Sequence, residues 1–436
     1  MDFVRKYADE NKTRLHMPGH KGASLLGFEK YDITEISGAD SLFEADGIIE
    51  ESEKNASSLF GCDTYYSVEG SSHCIRAMLY LAMLYAKENG KKLHVASPRN
   101  AHKVFLSAAA MLDFDITWLY SEEGTSYLSC NIPEKELEKL LSDGENAVNA
   151  VYLTSPDYLG RITDVKKIAD ICHKYGALLI VDNAHGAYLK FLSPSMHPMD
   201  LGADICCDSA HKTLPVLTGG AYLHVSPSLG KNVKNALAAF GSSSPSYLIL
   251  QSLDYANKYI SDGYAERLAD FCRALDEKKD ILRKNGYSFY GDEPLKLTFE
   301  AKKYGYPGTE LAEILEKKNI LCEFADPDFL VLMLTPENTK NDLDKMTEAL
   351  ISIPKKDKID VAPPHFALPR KAVSVREAYF SPCEEVSASE SIGKVLSSPS
   401  VGCPPAVPII MCGEVIDEKA AECFEYYGIK KVTVIK

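Results

Sequence analysis

Between residues 58 and 225, segments whose apolar residues have helical spacing alternate with short segments that are almost entirely apolar. Apolar residues spaced three and four positions apart predict amphipathic helices, and short continuous apolar runs predict buried strands. The predicted strands are KLHVAS (92–97), ITWLY (116–120), NAVYLTSP (149–156), ALLIVD (177–182), ADICCDS (203–209) and GGAYLHVS (219–226). The predicted helices between them span residues 73–90, 102–113, 133–143 and 164–176, and two of them end at a glycine, which is typical of a helix C-terminus.

This alternation indicates crossover connections between parallel strands. We therefore expect an α/β protein whose large domain has a mostly parallel sheet covered by helices on both faces. A long helical region at 247–286 and a smaller α/β pattern up to about residue 350 follow the linker-like segment GSSSPS. Three parts are expected: residues 1–240 form an N-terminal segment and the large domain, 241–352 a linker helix and a small α/β domain, and 353–436 a proline-rich connector and a C-terminal subdomain.

Residues able to do chemistry collect where the predicted strands end. In parallel sheets, ligands bind beyond the carboxyl ends of the strands, so these positions are candidates for a site. Four segments qualify: YYSVEGSSH (65–73), SPRNAHK (97–103), VDNAHG (181–186) and DSAHKT (208–213).

Lys212 stands out because it follows a run of small and apolar residues, although lysine rarely leaves water. Asp182, at the end of another strand, is a partner for it, either as a simple structural ion pair or as part of a site. Gly70, Ser71 and Ser72 open a helix, where backbone N–H groups and hydroxyls can bind an anion. Taken alone, the two serines could be helix caps instead, and the same alternative holds for His102.

A lysine, a carboxylate and an anion site together suggest pyridoxal phosphate. The lysine would form a Schiff base with the aldehyde, the carboxylate would keep the pyridine nitrogen protonated, and the serine-rich helix start would hold the phosphate. Partial burial would help the lysine to lose its proton.

The same residues carry a family resemblance that covers nearly the whole chain. HMPGHKG (16–22), DITE (32–35), GADSL (38–42), RNAHK (99–103), SPDYLG (155–160), DNAHGAY (182–188), DSAHKTLPVLTGGAYLH (208–224), REAYF (376–380) and CPPAVPIIMCGEVID (403–417) occur in this order. Together they resemble the ornithine/lysine/arginine decarboxylase family of pyridoxal-phosphate enzymes, in a short form without the N-terminal wing domain. The resemblance implies the fold-type I, aspartate-aminotransferase-like architecture and a site shared across a homodimer or a higher homo-oligomer.

The resemblance also assigns roles to individual residues. Lys212 would be the Schiff-base lysine and Asp182 the partner of the pyridine nitrogen, while His102 would stack on the cofactor ring. Lys212 or His211 would return a proton to the substrate Cα after decarboxylation of lysine, ornithine or arginine. The remaining implied cofactor contacts are Gly70, Ser71, Ser72, His185, Ser209 and His211.

Two positions depart from the family pattern. Glu69 stands beside the expected phosphate site, where a negative charge is unfavourable unless it points away. Asp157 occupies a position where the family usually has threonine. Because of these two departures, the resemblance does not determine which amino acid is the substrate, and it supports the activity itself less strongly.

The sequence is also compatible with other functional hypotheses. Transamination or elimination on the same fold would call for an arginine that binds the substrate carboxylate, for which Arg370 and Arg376 are candidates, and a non-catalytic binding protein is a third possibility. His16 and His20 have the spacing of helical zinc ligands, but Pro18 and Gly19 break a helix, so we expect no metal site.

Composition narrows the partners and the compartment. A net charge of −14 argues against nucleic acid or an anionic membrane as the main partner, which leaves a small-molecule substrate. The N-terminus lacks the apolar core of a signal peptide, and no apolar run is long enough to span a membrane. The twelve cysteines include no C-x-x-C pair, which is typical of reduced thiols, so a cytoplasmic location is expected.

Overall fold

The computed structural model describes residues 2–10, 12–120, 126–129, 132–143, 148–364, 369–399 and 405–436. Its helices are α1 (Asp2–Asp9), α2 (Ile48–Phe60), α3 (Gly70–Glu88), α4 (Lys103–Leu112), α5 (Glu134–Ser142), α6 (Val165–Lys174), α7 (Ala210–Thr213), α8 (Val233–Ala238), α9 (Tyr247–Ser261), α10 (Tyr264–Lys284), α11 (Ala301–Tyr304), α12 (Gly308–Glu316), α13 (Lys340–Ile351), α14 (Val375–Phe380) and α15 (Glu418–Tyr426). Its strands are β1 (Asp63–Ser67), β2 (His94–Pro98), β3 (Asp115–Leu119), β4 (Ala150–Thr154), β5 (Leu178–Asp182), β6 (Ile205–Asp208), β7 (Ala221–Val225), β8 (Phe289–Tyr290), β9 (Lys296–Glu300), β10 (Phe324–Ala325), β11 (Phe329–Met333), β12 (Cys383–Ser387), β13 (Leu396–Ser398) and β14 (Lys431–Ile435).

The chain divides into two compact units. Unit 1 comprises Met1–Leu93 with Val165–Glu266, and unit 2 comprises His94–Asp164 with Arg267–Lys436. The division into three parts at residues 240 and 352 stays a prediction.

The strands of unit 1 run in the order β1-β7-β6-β5. β5 and β6 are parallel, whereas β7 is antiparallel to both of its neighbours, β6 and β1. All residues of β5, β6 and β7 are buried, as their continuous apolar runs predict. Because two antiparallel steps restore the direction, β1 points the same way as β5 and β6, and the carboxyl ends of these three strands lie at one edge.

Unit 2 contains the parallel strands β4-β2-β3 and two antiparallel sheets, β10-β11-β9-β8 and β12-β14-β13. The C-terminal sheet has a core of its own, in which Leu396, Ile416, Phe424 and Val434 are almost fully buried. The sheet built around β9 and β11 matches the smaller α/β pattern expected from the sequence.

The α/β class and the mostly parallel character of strands β2 to β6 are confirmed. Two local expectations needed correction. The long helical region at 247–286 is broken between α9 and α10 at Gly263, whose φ of 70° is a left-handed conformation. Within the smaller α/β pattern, the apolar segment ILCEFAD (320–326) predicts a strand, but only Phe324–Ala325 forms one. No helix among the described residues is long and apolar enough to cross a bilayer.

Candidate active site

Three chain segments meet at the carboxyl edge of the unit 1 strands. Asp182 ends β5 and is the register partner of Cys207 in β6, so the ends of these strands are level. Ser67 ends β1 opposite Ala221, and the loop after it leads into α3. The segments 69–72, 182–185 and 208–212 therefore all emerge at this edge, as the strand-end argument predicts.

Direct hydrogen bonds connect the start of α3 to the start of α7 and to the loop before β7. The Ser209 hydroxyl donates to Ser71 Oγ at 2.8 Å, and the Gly70 N–H donates to the Gly219 carbonyl at 2.7 Å. Ser71 and Ser72 lie inside the first turn of α3, and the N-cap position belongs to Glu69, which makes no side-chain cap. The helix-cap explanation of the two serines was therefore wrong, and the Ser71 hydroxyl instead connects two elements of the candidate site.

Lys212 and His211 lie in the single turn of α7, and both are half-buried. The Lys212 N–H donates to the Ser209 carbonyl at 3.0 Å. His211 Nδ1 lies 2.9 Å from the Gly220 carbonyl, which can only accept, so Nδ1 carries a proton. Burial lowers the pKa of His211, so at neutral pH its Nε2 is unprotonated.

Asp182 is only 2% exposed at the end of β5. One of its carboxylate oxygens accepts a hydrogen bond from the Ala184 N–H at 3.1 Å and lies 3.8 Å from the Cys207 thiol. His185, three residues further, is buried as well. A carboxylate this deeply buried is stable when a cationic group stands next to it.

The residues at this edge fit pyridoxal phosphate. Gly70 has a φ of 72°, and no heavy atom lies within 4 Å of the place its Cβ would take, so the start of α3 is open for close approach by a ligand. Around it are hydroxyl donors and the first turn of a 19-residue helix, which favours an anion. An amine at Lys212 and a buried carboxylate at Asp182 complete the donor set for this cofactor.

His102 belongs to unit 2, where it is the N-cap of α4 and its Nδ1 accepts a hydrogen bond from the Val104 N–H at 3.2 Å. The capping role weighed from the sequence is therefore confirmed. The neighbouring Lys103 N–H donates to the Ala406 carbonyl at 2.8 Å. This contact connects the RNAHK segment to the segment near the end of the chain that resembles the family signature; Cys403 and Pro404 of that signature lie outside the described residues.

A buried ion pair strengthens the same connection. Both guanidinium Nη atoms of Arg99 donate to the Glu414 carboxylate, at 2.6 and 2.7 Å, and the Met411 N–H donates to Glu414 at 2.8 Å. The Arg99 side chain is 13% exposed and that of Glu414 5%. The Arg99 guanidinium also lies 5.7 Å from the ring centres of Trp118 and Tyr120. The segment that carries His102 is thus held by residues more than 300 positions away in the sequence.

Comparison with known proteins identifies the family of this chain. The sequence model of the family described as "Orn/Lys/Arg decarboxylase, major domain" matches residues 1–290. The chain belongs to this family. Its relatives include the "Uncharacterized protein YaaO" of Bacillus subtilis, 29% identical over 96% of this chain and 91% of that protein, and the arginine decarboxylase of Halalkalibacterium halodurans, 29% identical over 95% of this chain and 90% of that protein.

Solved structures agree on the fold. The lysine decarboxylase LdcF of Francisella novicida superposes with a TM-score of 0.81 over 100% of this chain and 80% of that one, at 16% identity. A serine palmitoyltransferase of Sphingomonas wittichii matches with a TM-score of 0.58 over 80% of this chain and 81% of that one, at 13% identity. The fold-type I architecture is thereby confirmed, and membership of the decarboxylase family implies pyridoxal phosphate as the cofactor.

The structure explains both departures of this decarboxylase-family chain from the family pattern. Glu69 is exposed, and its carboxylate accepts a hydrogen bond from the Ser242 N–H at 2.6 Å. Asp157 is 3% exposed and accepts from the Leu159 and Arg161 N–H groups at 2.9 and 3.0 Å, and also from the Ser129 hydroxyl. Both carboxylates have a structural use within their own units.

Two further side chains were misjudged or missed in the sequence. Arg376 was a candidate for binding a substrate carboxylate, but its guanidinium donates to the Ala110 carbonyl at 2.7 Å, at the end of α4. Glu414 lies in the C-terminal signature, but nothing in the spacing pointed to Arg99 as its partner. HMPGHKG is not helical, and His16 and His20 instead lie within hydrogen-bonding distance of Tyr7 and Asp32, at 2.6 and 3.2 Å.

Proposed function

We propose that the protein removes the α-carboxylate of a basic amino acid, with arginine as the first candidate substrate. The carrying observation is the edge of unit 1, where Lys212, Asp182 and the start of α3 come together beyond parallel strands. Arginine comes first because relatives named arginine decarboxylase match this chain over 94–96% of its length.

The proposed cofactor contacts are those that the family resemblance implies for these residues. Lys212 would hold the cofactor through its aldehyde, and Asp182, which is buried next to strand β6, would hold the protonated pyridine nitrogen. When bound, pyridoxal phosphate supplies an electron sink for the bond to the departing carboxylate. By the family resemblance, His102 would stack on the cofactor ring and His185 would lie near its phenolic oxygen. The proposed phosphate contacts are Gly70, Ser71, Ser72, Ser209 and His211.

Lys212 is the proposed donor of the proton that replaces the carboxylate on Cα. His211 was the other candidate. Its Nδ1 proton is engaged by the Gly220 carbonyl, and burial lowers its pKa, so a neutral His211 has no proton to give from Nε2. The Lys212 amine is attached to a half-buried turn at the same edge, and an ammonium carries the proton that the step requires.

The test is a substrate panel with purified protein and added pyridoxal phosphate. Carbon dioxide and amine are measured from arginine, lysine and ornithine, with keto acid measured in parallel. We expect amine and carbon dioxide in equal amounts, most from arginine, and no keto acid. Keto acid as the main product would overturn the proposed reaction, and amine from lysine or ornithine alone would overturn the substrate.

Substitution of Lys212 tests whether this residue carries the proposed reaction. Lys212→Ala should lower the rate by about 10³-fold or more, because one residue both holds the cofactor and moves the proton. Lys231→Ala, which removes an exposed lysine of the same unit, is the matched control and should retain the activity. A Lys212→Ala protein with the activity of Lys231→Ala would contradict the assignment.

A homodimer is part of the proposal. Large apolar side chains concentrate in one stretch of unit 1, where Leu15, Leu25 and Leu26 are 90%, 78% and 76% exposed and Met17 is 65% exposed. Such a run of exposed apolar residues is typical of a surface that another chain covers. Light scattering of the purified protein should give twice the chain mass, and Leu25→Asp with Leu26→Asp should shift it toward the monomer.

We also place the enzyme in the cytoplasm and assign its product to polyamine synthesis. The ten cysteines within the described residues are free thiols, in keeping with a reducing compartment. Cell fractionation and the polyamine content of a deletion strain test these two statements.

A further inference from the structure

A buried cluster of one carboxylate and two imidazoles lies directly before the lysine segment. Asp208 is the last residue of β6, and its Oδ2 lies 3.1 Å from His197 Nε2 and 3.0 Å from His224 Nε2. All three side chains are 0% exposed. His224 lies on β7, and His197 opens the 3-10 turn Pro198–Leu201. The family roles described above use none of these three residues.

The hydrogen bonds define the charge of Asp208. Its Oδ2 accepts from both imidazoles and its Oδ1 accepts from Asn183 Nδ2 at 2.6 Å, so neither oxygen carries a proton. Burial alone would raise the pKa of Asp208, but the two histidines lower it well below its ordinary value. A buried anion needs a cation beside it.

His224 is the cation of the cluster. Its Nδ1 lies 2.9 Å from Thr64 Oγ1, and the Thr64 hydroxyl donates to the Cys62 carbonyl at 3.1 Å. With its only proton used there, Thr64 Oγ1 accepts from His224 Nδ1, so both ring nitrogens of His224 are protonated. His197 is neutral, because its Nδ1 accepts from the Met199 N–H at 3.4 Å.

Asp208 also connects the two segments that matter for the proposed chemistry. Asn183 directly follows Asp182, and in addition to the contact with Asp208 its N–H donates to the Cys207 carbonyl at 3.0 Å. On the other side, Asp208 directly precedes Ser209, which contacts Ser71. One carboxylate is thus tied to the end of β5 and to the start of α7.

We propose that Asp208 is a positioning residue: held by the His224 imidazolium and neutral His197, it fixes the end of β5 relative to α7 and so aligns Asp182 with Lys212. The inference rests on the cofactor roles proposed above for these last two residues. It assigns the cluster an electrostatic and geometric use, with no metal ion bound.

The first test compares Asp208→Asn with the wild-type holoenzyme. The variant keeps the shape but removes the charge that His224 requires. We expect pyridoxal phosphate to bind about tenfold more weakly. The pH midpoint of the visible absorbance of the lysine-bound cofactor should move by about half a unit or more, because Asp182 and Lys212 are no longer aligned.

Asn257→Ala is the matched control for a loss of buried hydrogen bonds. Asn257 is buried in unit 1 and donates to Ser52 and Tyr66, away from the lysine segment. It should lower the thermal midpoint while leaving cofactor affinity and the absorbance midpoint as in the wild type. Asp208→Asn with wild-type affinity and absorbance midpoint would overturn the proposal.

Variants of the histidines separate charge from packing and keep the proposal testable if Asp208→Asn does not fold. His224→Gln should weaken cofactor binding more than His197→Gln, because only His224 carries the compensating charge. The double variant Asp208→Asn with His224→Gln should lose less affinity than the product of the single losses. The ion pair would be contradicted if the two histidine variants weakened cofactor binding equally. It would also be contradicted if the double variant lost as much affinity as the product of the two single losses.

Two controls distinguish a failure of the positioning role of Asp208 from metal binding and from a failure of the proposed function. Metal analysis of the purified protein should find less than stoichiometric zinc, copper, nickel or iron, and one bound ion per chain would overturn the ion-pair assignment. If the wild-type protein develops no lysine-dependent visible absorbance with pyridoxal phosphate, the proposed function fails. If it does and Asp208→Asn matches it, only the positioning role fails.

Discussion

The substitution Glu414→Gln should destabilise unit 2 far more than a change of one charge on its surface. Glu414 pairs with Arg99 through two hydrogen bonds of 2.6 and 2.7 Å, and the side chains are 5% and 13% exposed. Removing one partner of a buried pair costs about 3–5 kcal/mol, because the other charge stays buried. Arg99 keeps a 3.5 Å contact to the Ile409 carbonyl, so we expect the lower end, about 3 kcal/mol.

Glu384→Gln is the matched control in the same unit. Glu384 pairs with Lys394 at 3.0 Å, but these side chains are 45% and 38% exposed. An exposed pair of this kind contributes about 0.5 kcal/mol. The two substitutions make the same chemical change and differ in burial, so the ratio of their effects should be about six to one.

Urea unfolding followed by tryptophan fluorescence measures this ratio. Trp118 is the single tryptophan of the chain, and the Arg99 guanidinium lies 5.7 Å from its ring centre, so the signal reports on this region. If both variants share the wild-type dependence on urea, the ratio of their midpoint shifts equals the ratio of the free-energy changes. Midpoint shifts of equal size would refute the argument from burial.

Three further predictions concern Asp157 and Glu69, which depart from the family pattern, and Gly70 at the start of α3. Burial raises the pKa of Asp157 from 3.8 to about 6, so the folded state binds the proton more tightly than the unfolded state, and this group's contribution to stability falls as the pH rises between these values. An asparagine side chain does not titrate, so the stability of Asp157→Asn relative to wild type should rise by on the order of 2 kcal/mol from low to neutral pH. Thermal melts of both proteins at the two pH values measure this difference. Glu69→Gln should change the thermal midpoint little, because Glu69 is exposed, and should not weaken cofactor binding; a cofactor affinity reduced tenfold would show that its charge serves the site. Gly70→Ala forces a side chain into a φ of 72° and should destabilise the protein by about 1 kcal/mol with weaker cofactor binding, and unchanged values for both would mean that the start of α3 tolerates the change.

Local patterns predicted most of the fold. The apolar runs of β5 and β6 and the helical periodicity of α3 are visible in the sequence because a buried strand and an amphipathic helix each need their own spacing of apolar residues. The antiparallel direction of β7 was not visible, since a fully buried strand has the same apolar run in either direction. The break at Gly263 was missed because the helical pattern continues on both sides of it.

The residues proposed for the site could be selected from the sequence, whereas their partners and geometry could not. Lys212 and Asp182 stand at strand ends, and the topology of parallel strands brings such ends to one edge. What the chain order could not reveal is which carboxylate meets which cation. Asp157, Glu69 and Glu414 all looked alike as acids in or near family motifs, yet the first caps a turn, the second is exposed and binds a backbone N–H, and the third closes an ion pair.

The sequence by itself determined the class of fold, the family and the residue types of the candidate site, because these depend on local spacing and on motifs of a few residues. Only the tertiary structure decided the partners of the buried charges. Arg99 and Glu414 are 315 residues apart, and Asp208 meets histidines on two other segments. A buried charge is stable only where opposite charge and hydrogen-bond donors converge on it in space, and that convergence is created by the packing of distant segments.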